Sequence, residues 1–137
     1  MTDSLHAVCP HCSAVNRVPA DRPASEARCG VCKAKLFTGE PVVLTSKTFD
    51  KHVERNDMPL IVDFWAPWCG PCRTMAPIFD RAAKELEPRA RFAKVNVDEE
   101  PAIAARFGVY QRDGRAQKIR NLLLFARSLP GFASSGT

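Results

Sequence analysis

The sequence predicts an α/β sandwich built on a partly parallel sheet and preceded by a small cysteine-held ribbon. Three observations carry that prediction. Strand-like and helix-like stretches alternate from Val42 onward. Two Cys-x-x-Cys pairs, Cys9/Cys12 and Cys29/Cys32, flank sixteen residues in a segment poor in large apolar side chains. A length of 137 residues leaves room for one compact core with an appendage, not for two cores. Hydrophobic residues at 45% and charged residues at 26% are ordinary globular values, which excludes collagen-like, coiled-coil and wholly disordered chains.

Residues 1–40 form the first unit. Pro10, Pro19, Pro23, Gly30 and Gly39 interrupt it, and its few large apolar residues cannot bury a core without a staple. The paired cysteines supply that staple. Two residues between thiolates let both sulfurs of a pair reach one cation at about 2.3 Å, so Cys9, Cys12, Cys29 and Cys32 fit a tetrahedral zinc site. Four thiolates leave no open coordination position, and one structural zinc per chain is expected. Its binding, on the order of 10 kcal/mol or more, compensates for the missing core. Gly30 is expected to ease the turn of the second pair, and His11 to be a bystander. Structural disulfides or free thiols are the alternatives. Residues 1–30 lack the apolar centre of a signal peptide, which points to a reducing cytoplasm and favours metal.

Residues 41–125 form the second unit. Val42, Val43 and Leu44 read as a strand. Ser46 is positioned to cap a helix running to His52 or Arg55 that buries Phe49 and Val53, and Met58-Pro59 blocks its continuation. Leu60 to Trp65, β-branched and aromatic, suits a central strand. A helix follows from about Cys69 to Leu86, with Met75, Ile78, Phe79, Ala82, Ala83 and Leu86 at helical spacing and a kink at Pro77. Phe92, Val95 and Val97 mark another buried strand; Pro101 opens a short helix carrying Ile103, Ala104 and Phe107, which Gly108 ends. Asp113-Gly114 marks a turn and Leu122 to Phe125 a last strand, while residues 126–137 read as an irregular tail.

A third pair, Cys69-Gly70-Pro71-Cys72, lies where the strongest strand meets the longest helix. Free N–H groups and the macrodipole at a helix start stabilise a thiolate, so Cys69 is expected to act as the nucleophile. Cys72, one turn inside, is placed to resolve a mixed disulfide. Gly70 permits close approach of a substrate, and Pro71 stiffens the turn at no cost in helical hydrogen bonds. Asp63 stands in an apolar strand, where a carboxylate without a partner has a raised pKa. It is expected to take the Cys72 proton, with Lys94 on the next strand as its electrostatic partner; the alternative is a strand-end Asp facing solvent. Trp65 and Trp68 are read as packing residues around the thiols, and Trp68 also as a substrate contact. Proline between the cysteines and a helix directly after them favour redox chemistry over metal binding at this pair.

The run Asp63-Phe64-Trp65-Ala66-Pro67-Trp68-Cys69-Gly70-Pro71-Cys72 resembles thioredoxin. So do Pro77, the stretch Phe92 to Asp98 with Lys94, and Arg106-Phe107-Gly108-Val109. With the two upstream cysteine pairs, the chain is similar over about residues 5–109 to the zinc-containing bacterial thioredoxin two subfamily. The resemblance implies a thioredoxin-like three-layer sandwich and a cytoplasmic protein-disulfide reductase. Its partners would be disulfide-containing protein substrates and an NADPH-dependent thioredoxin reductase. After Val109 the agreement ends. Tyr110 to Asn121 contains no proline, where the family carries a cis proline facing the dithiol, and only Leu122 to Phe125 resembles the family's Leu-rich strand. The sheet is therefore expected to be incomplete at its C-terminal end.

Residues 101–137 hold six Lys or Arg against one acid and account for the formal charge of +5. No nucleic-acid reader pattern accompanies this basic end, so it is read as solvated surface, and a monomer is expected. The longest apolar run is far below the roughly 18 residues of a membrane span, so no membrane partner is expected. A second function hypothesis is a zinc-ribbon interaction protein whose truncated thioredoxin domain no longer turns over.

Overall fold

The computed structural model describes residues 4–107, 110–112, 117–119 and 123–126, the last three segments by their backbone. In chain order the elements are β1 (Ser4–Val8), β2 (Val15–Pro19), β3 (Val42–Val43), α1 (Phe49–Arg55), β4 (Leu60–Trp65), α2 (Gly70–Leu86), β5 (Arg91–Asn96), α3 (Pro101–Phe107), β6 (Tyr110–Arg112), β7 (Gln117–Ile119) and β8 (Leu123–Ala126), with a 3-10 turn at Ala24–Glu26. No helix among the described residues is long and apolar enough to cross a membrane.

The central sheet has the order β3-β5-β4-β8. β3 and β4 both run parallel to β5, while β8 runs antiparallel to β4. Parallel neighbours need crossovers, and α2 provides the one between β4 and β5. The apolar residues of β4 divide by strand alternation. Leu60, Val62 and Phe64 pack with Phe49 of α1 and Ile103 and Ala104 of α3. Ile61 lies on the other face with Phe79, Ala82 and Ala83 of α2 and Phe92 of β5. The result is three layers, α1 and α3 on one side of the sheet and α2 on the other. Aromatic rings lock both faces: Phe107 sits 5.5 Å from Phe49 and 5.6 Å from Phe64, and Phe79 meets Phe92 edge-on at 5.2 Å. Phe64 is wholly buried, so Phe64→Ala would cost about 3–5 kcal/mol.

Several expectations shift. Helix α1 starts at Phe49, not after Ser46, and its N-cap Thr48 makes no side-chain cap bond. Thr48 Oγ1 is engaged instead by the Thr45 N–H at 3.0 Å, and the Ser46 N–H donates to Glu100 Oε1 at 2.8 Å, so residues 46–48 form a separate turn. Val53 is half-buried and His52 takes the fully buried position beside Phe49. On α2 only Cys72, Phe79 and Ala83 are buried, whereas Ile78 is 62% exposed. Successive helical residues are about 100° apart, so once Phe79 faces the sheet Ile78 points aside. Val97 lies one residue past β5, held by its N–H to Trp65 O. The last strand is Leu123–Ala126. A hairpin of β6 and β7, not expected from the sequence, flanks Asp113-Gly114. That turn itself, Gly108, Leu122, residues 127–137 and the side chains of the basic end beyond Arg106 lie outside the described residues, while Arg106 pairs with Asp50 Oδ1 at 3.0 Å.

The ribbon packs on the start of β4 and β5. Ala7, Cys9, Val18, Cys29, Leu36 and Phe37 bury Met58 from the α1–β4 connection. Arg91, 1% exposed at the first position of β5, is the polar bolt of this joint. Its guanidinium donates to Leu36 O at 2.8 Å, to Val8 O at 3.1 Å and to Glu87 Oε2 at 2.8 Å, and lies 4.9 Å over the Phe37 ring. Glu87 Oε1 also accepts from the Gly39 N–H. Asn56, buried, accepts from the Val8 N–H and donates to His52 O. β4 is six residues long, which puts about 20 Å between this joint and the opposite end of the strand.

Candidate metal centre and redox site

Both knuckles of the ribbon are built alike. The first cysteine of each closes a hairpin, Cys9 N–H to Ala14 O at 2.8 Å and Cys29 N–H to Ala34 O at 2.9 Å. Each turn is completed by a residue with positive φ, Ser13 at 65° and Lys33 at 69°. This corrects the expectation for Gly30, whose φ is ordinary and whose absent Cβ would meet only Asn16 Oδ1, at 3.7 Å. Backbone N–H groups of His11 and Val31 point at Cys9 Sγ and Cys29 Sγ, both at 3.3 Å. His11 thus enters through its backbone, and the ligand cluster consists of the four cysteines.

The four sulfurs lie within 4.8 Å of one another, with Cys9–Cys32 at 3.6 Å and Cys12–Cys29 at 3.5 Å. A tetrahedron of sulfurs about 2.3 Å from its centre has edges of about 3.8 Å, so the donor set fits a divalent soft or borderline metal. Electrostatics agree. The Cys32 N–H leads the effects that hold Cys29 down to about 5, while burial raises Cys9 above its ordinary value. Four thiolates this close repel one another, and a bound cation would let all of them stay ionised.

The third pair sits at the far end of β4. Ala66 follows the strand, the Cys69 N–H returns to Ala66 O at 3.1 Å, and α2 begins at Gly70. Cys69 is the N-cap: its Sγ accepts the Cys72 N–H at 3.2 Å. Pro71 occupies the first turn, where its missing N–H is not needed. Cys69 and Cys72 are joined as a disulfide with their Cα atoms 5.2 Å apart. Cys72 Sγ lies 3.9 Å from Phe64 O, and both cysteines are buried against the Phe64 side of the core. Above Gly70 there is open space, with nothing within 4 Å of the position its Cβ would take. Trp68, 38% exposed, is fixed by its indole N–H to Asp98 Oδ2 at 2.9 Å, a partner that no sequence pattern signalled.

Asp63 is 1% exposed and lies on the α2 side of β4. Its Oδ1 has no hydrogen-bond partner among the described residues. Burial pushes its carboxyl up to about 6; Lys94 opposes that and Asp80 adds to it. Lys94 is in register with Asp63 across the β4–β5 ladder, yet its ammonium pairs with Asp80 Oδ1 at 3.5 Å. Asp63 therefore has a buried carboxyl whose proton affinity is close to neutral pH, which suits a proton acceptor.

A family model described as Thioredoxin matches residues 40–112, and one described as Thioredoxin 2, N-terminal matches residues 8–34. Thioredoxin C-3 of Corynebacterium nephridii is 40% identical over 102 residues, covering 74% of this chain and 70% of that protein. Thioredoxin 1 of Nostoc sp. is 47% identical over 66 residues, 48% of this chain and 62% of that protein, so the matched stretch spans less than two thirds of the latter. A solved mutant thioredoxin from Halobacterium salinarum superimposes with a TM-score of 0.47 at 29% identity, covering 63% of this chain and 74% of that one.

Proposed function

The chain belongs to the thioredoxin family, and on that premise we propose that it is a protein-disulfide reductase cycling through Cys69 and Cys72. The observation that supports this most is Cys69 at the N-cap of α2, its sulfur receiving the Cys72 N–H at 3.2 Å and lying within bonding reach of Cys72. In the reduced protein the same N–H and the helix dipole favour Cys69 as thiolate. The Cys69 thiolate attacks one sulfur of a substrate disulfide, forming a mixed disulfide and releasing the other substrate sulfur as a thiolate that takes a proton from water. Cys72 then passes its proton to the Asp63 carboxylate and attacks Cys69 Sγ. The mixed bond breaks, the second substrate thiolate leaves and is protonated, and the Cys69–Cys72 disulfide remains. Two electrons have moved to the substrate. Resetting needs two electrons and two protons, for which a thioredoxin reductase is the assigned donor.

Trp68, Gly70 and Pro71 form the substrate-facing surface, supported by the exposure of Trp68 and the open space over Gly70. Cys9, Cys12, Cys29 and Cys32 hold one zinc, which supplies cross-linking of the ribbon and no chemistry at the dithiol. Residues 1–40 act as the ribbon, 41–125 as the thioredoxin-like domain and 126–137 as a tail; the protein works as a cytoplasmic monomer. Dithiothreitol-driven insulin reduction tests the reading. Cys69→Ser should bring the rate down to the uncatalysed background while zinc content stays at one per chain. A variant that still reduces insulin at the parental rate would reject Cys69 as nucleophile.

A further inference from the structure

Between α2 and the β3 edge of the sheet a cleft of about 410 Å³ opens, lined by Glu40, Val43, Asp80, Lys84 and Lys94 among others. Of the four charges that line it, Glu40, Asp80, Lys84 and Lys94, two bear on the buried Asp63, Lys94 and Asp80. Lys94 comes from β5, in register with Asp63. Asp80 comes from α2 and takes the Lys94 ammonium at 3.5 Å. From β8, the residue paired with Asp63 is Leu123, which carries no charge.

The geometry contains a choice that the exchange reaction does not by itself require. A lysine on the adjacent strand, directly opposite a buried carboxyl, is the natural ion-pair partner for it. Here that lysine is turned outward, with a side chain only 20% exposed, to a carboxylate that is 54% exposed. Asp63 is left with an orphan oxygen as a result. A carboxylate clamped by an ammonium is a weak base, always ionised and slow to accept a proton.

We propose that Asp80 is a positioning residue for the thiol exchange, holding the Lys94 ammonium at the mouth of the cleft so that Asp63 keeps the base strength needed to accept the Cys72 proton. This rests on the reading of Asp63 as proton acceptor given above. Asp80 acts on Asp63 in two ways, through the Lys94 ammonium it holds and through its own negative charge. Removing its charge frees Lys94 to swing in toward Asp63, and it also removes a negative neighbour of Asp63. Both changes lower the proton affinity of Asp63, in agreement with the opposite directions in which Lys94 and Asp80 act on it.

The test follows the Asp63 carboxyl carbon by NMR across pH in the full-length, zinc-loaded, oxidised protein, alongside the pH profile of insulin reduction. Asp80→Asn should lower the Asp63 midpoint by about half a pH unit or more and move the acid limb of activity down with it. Lys94→Gln should move both upward, and Asp80→Glu should restore the parental midpoint. An Asp63 midpoint unchanged in Asp80→Asn, with the amide spectrum otherwise native, would overturn the role of Asp80. An acid limb that stays in place in Asp63→Asn would overturn Asp63 as base, a separate failure, because the midpoint is read from the carboxyl itself and not from activity.

Discussion

The ribbon and the start of α2 use one motif, Cys-x-x-Cys, for opposite ends. In the ribbon each pair is followed by a residue with positive φ, Ser13 or Lys33, that turns the chain back and delivers its sulfurs to a second pair. At the redox site the pair opens a seventeen-residue helix that carries the chain away, and the two cysteines are joined to each other. What decides between a metal ligand and an electron carrier is the backbone after the motif. The buried polar groups differ in the same sense. Arg91 at the ribbon joint has hydrogen bonds to two carbonyls and a carboxylate, with only its Nε left without a partner among the described residues, whereas Asp63 near the dithiol has Oδ1 unpaired and a carboxyl that burial pushes up to about 6. Stability is concentrated at one end of β4 and reactivity at the other.

The largest expected effect is on the metal side. Cys29→Ser removes one of four ligands and with it most of a binding free energy on the order of 10 kcal/mol. Zinc content should fall well below one per chain and amide exchange in residues 4–37 should become fast, while the protection of β4 and β5 is reduced far less. Equal collapse of both regions in an exchange experiment would show that they are one cooperative unit. Next in size is the joint. Arg91→Met leaves Glu87 buried without its ion pair and should cost about 3–5 kcal/mol by chemical denaturation; Arg91→Met with Glu87→Gln should recover part of it. No recovery in the double variant would mean that Arg91 acts through its backbone acceptors instead.

Asp63→Asn should have the opposite sign. The folded-state carboxyl titrates near 6 against an ordinary 3.8, so ionisation disfavours folding, and the penalty is complete above pH 6 and absent below about pH 4. Relative to the parent, the oxidised variant should gain up to about 3 kcal/mol at pH 7, a gain that shrinks through pH 6 and vanishes near pH 4, while insulin reduction at pH 7 slows several-fold. A stability gain that is the same at pH 4 and pH 7 would break the contrast between the hydrogen-bonded guanidinium at the joint and the desolvated carboxyl at the redox end. The smallest effects concern glycine. Ser13→Gly relieves a positive φ and should add about 0.5–1 kcal/mol. Gly70→Ala fills open space, so its melting temperature should hold or rise slightly while KM for insulin increases.

The alternation of strands and helices is legible in the sequence because β-branched and aromatic runs such as Leu60 to Trp65 form two-sided buried strands. All six cysteines are legible because spacing and the helix after Cys72 are local properties. Long-range partnerships are not. Arg91 reads as one of several basic residues before Phe92, and nothing local reveals that it reaches carbonyls 55 and 83 residues away. Lys94 is readable as a neighbour of Asp63, but its diversion to Asp80 depends on how α2 lies over the sheet. The exposure of Ile78 has the same origin, since helical spacing defines a stripe but only packing fixes its width. The positive φ at Ser13 and Lys33 escapes notice because neither is the glycine on which such a turn usually relies.

The arginine at the head of the third strand of the parallel set also bears on how such a protein can be rearranged. Removing residues 1–40 would take away two of its carbonyl acceptors and the Phe37 ring that covers it, leaving it beside Glu87 and open to water. A ribbon of this kind grafted onto another sheet would need an arginine there to meet its free carbonyls, and a reductase relieved of its ribbon would present that side chain to solvent.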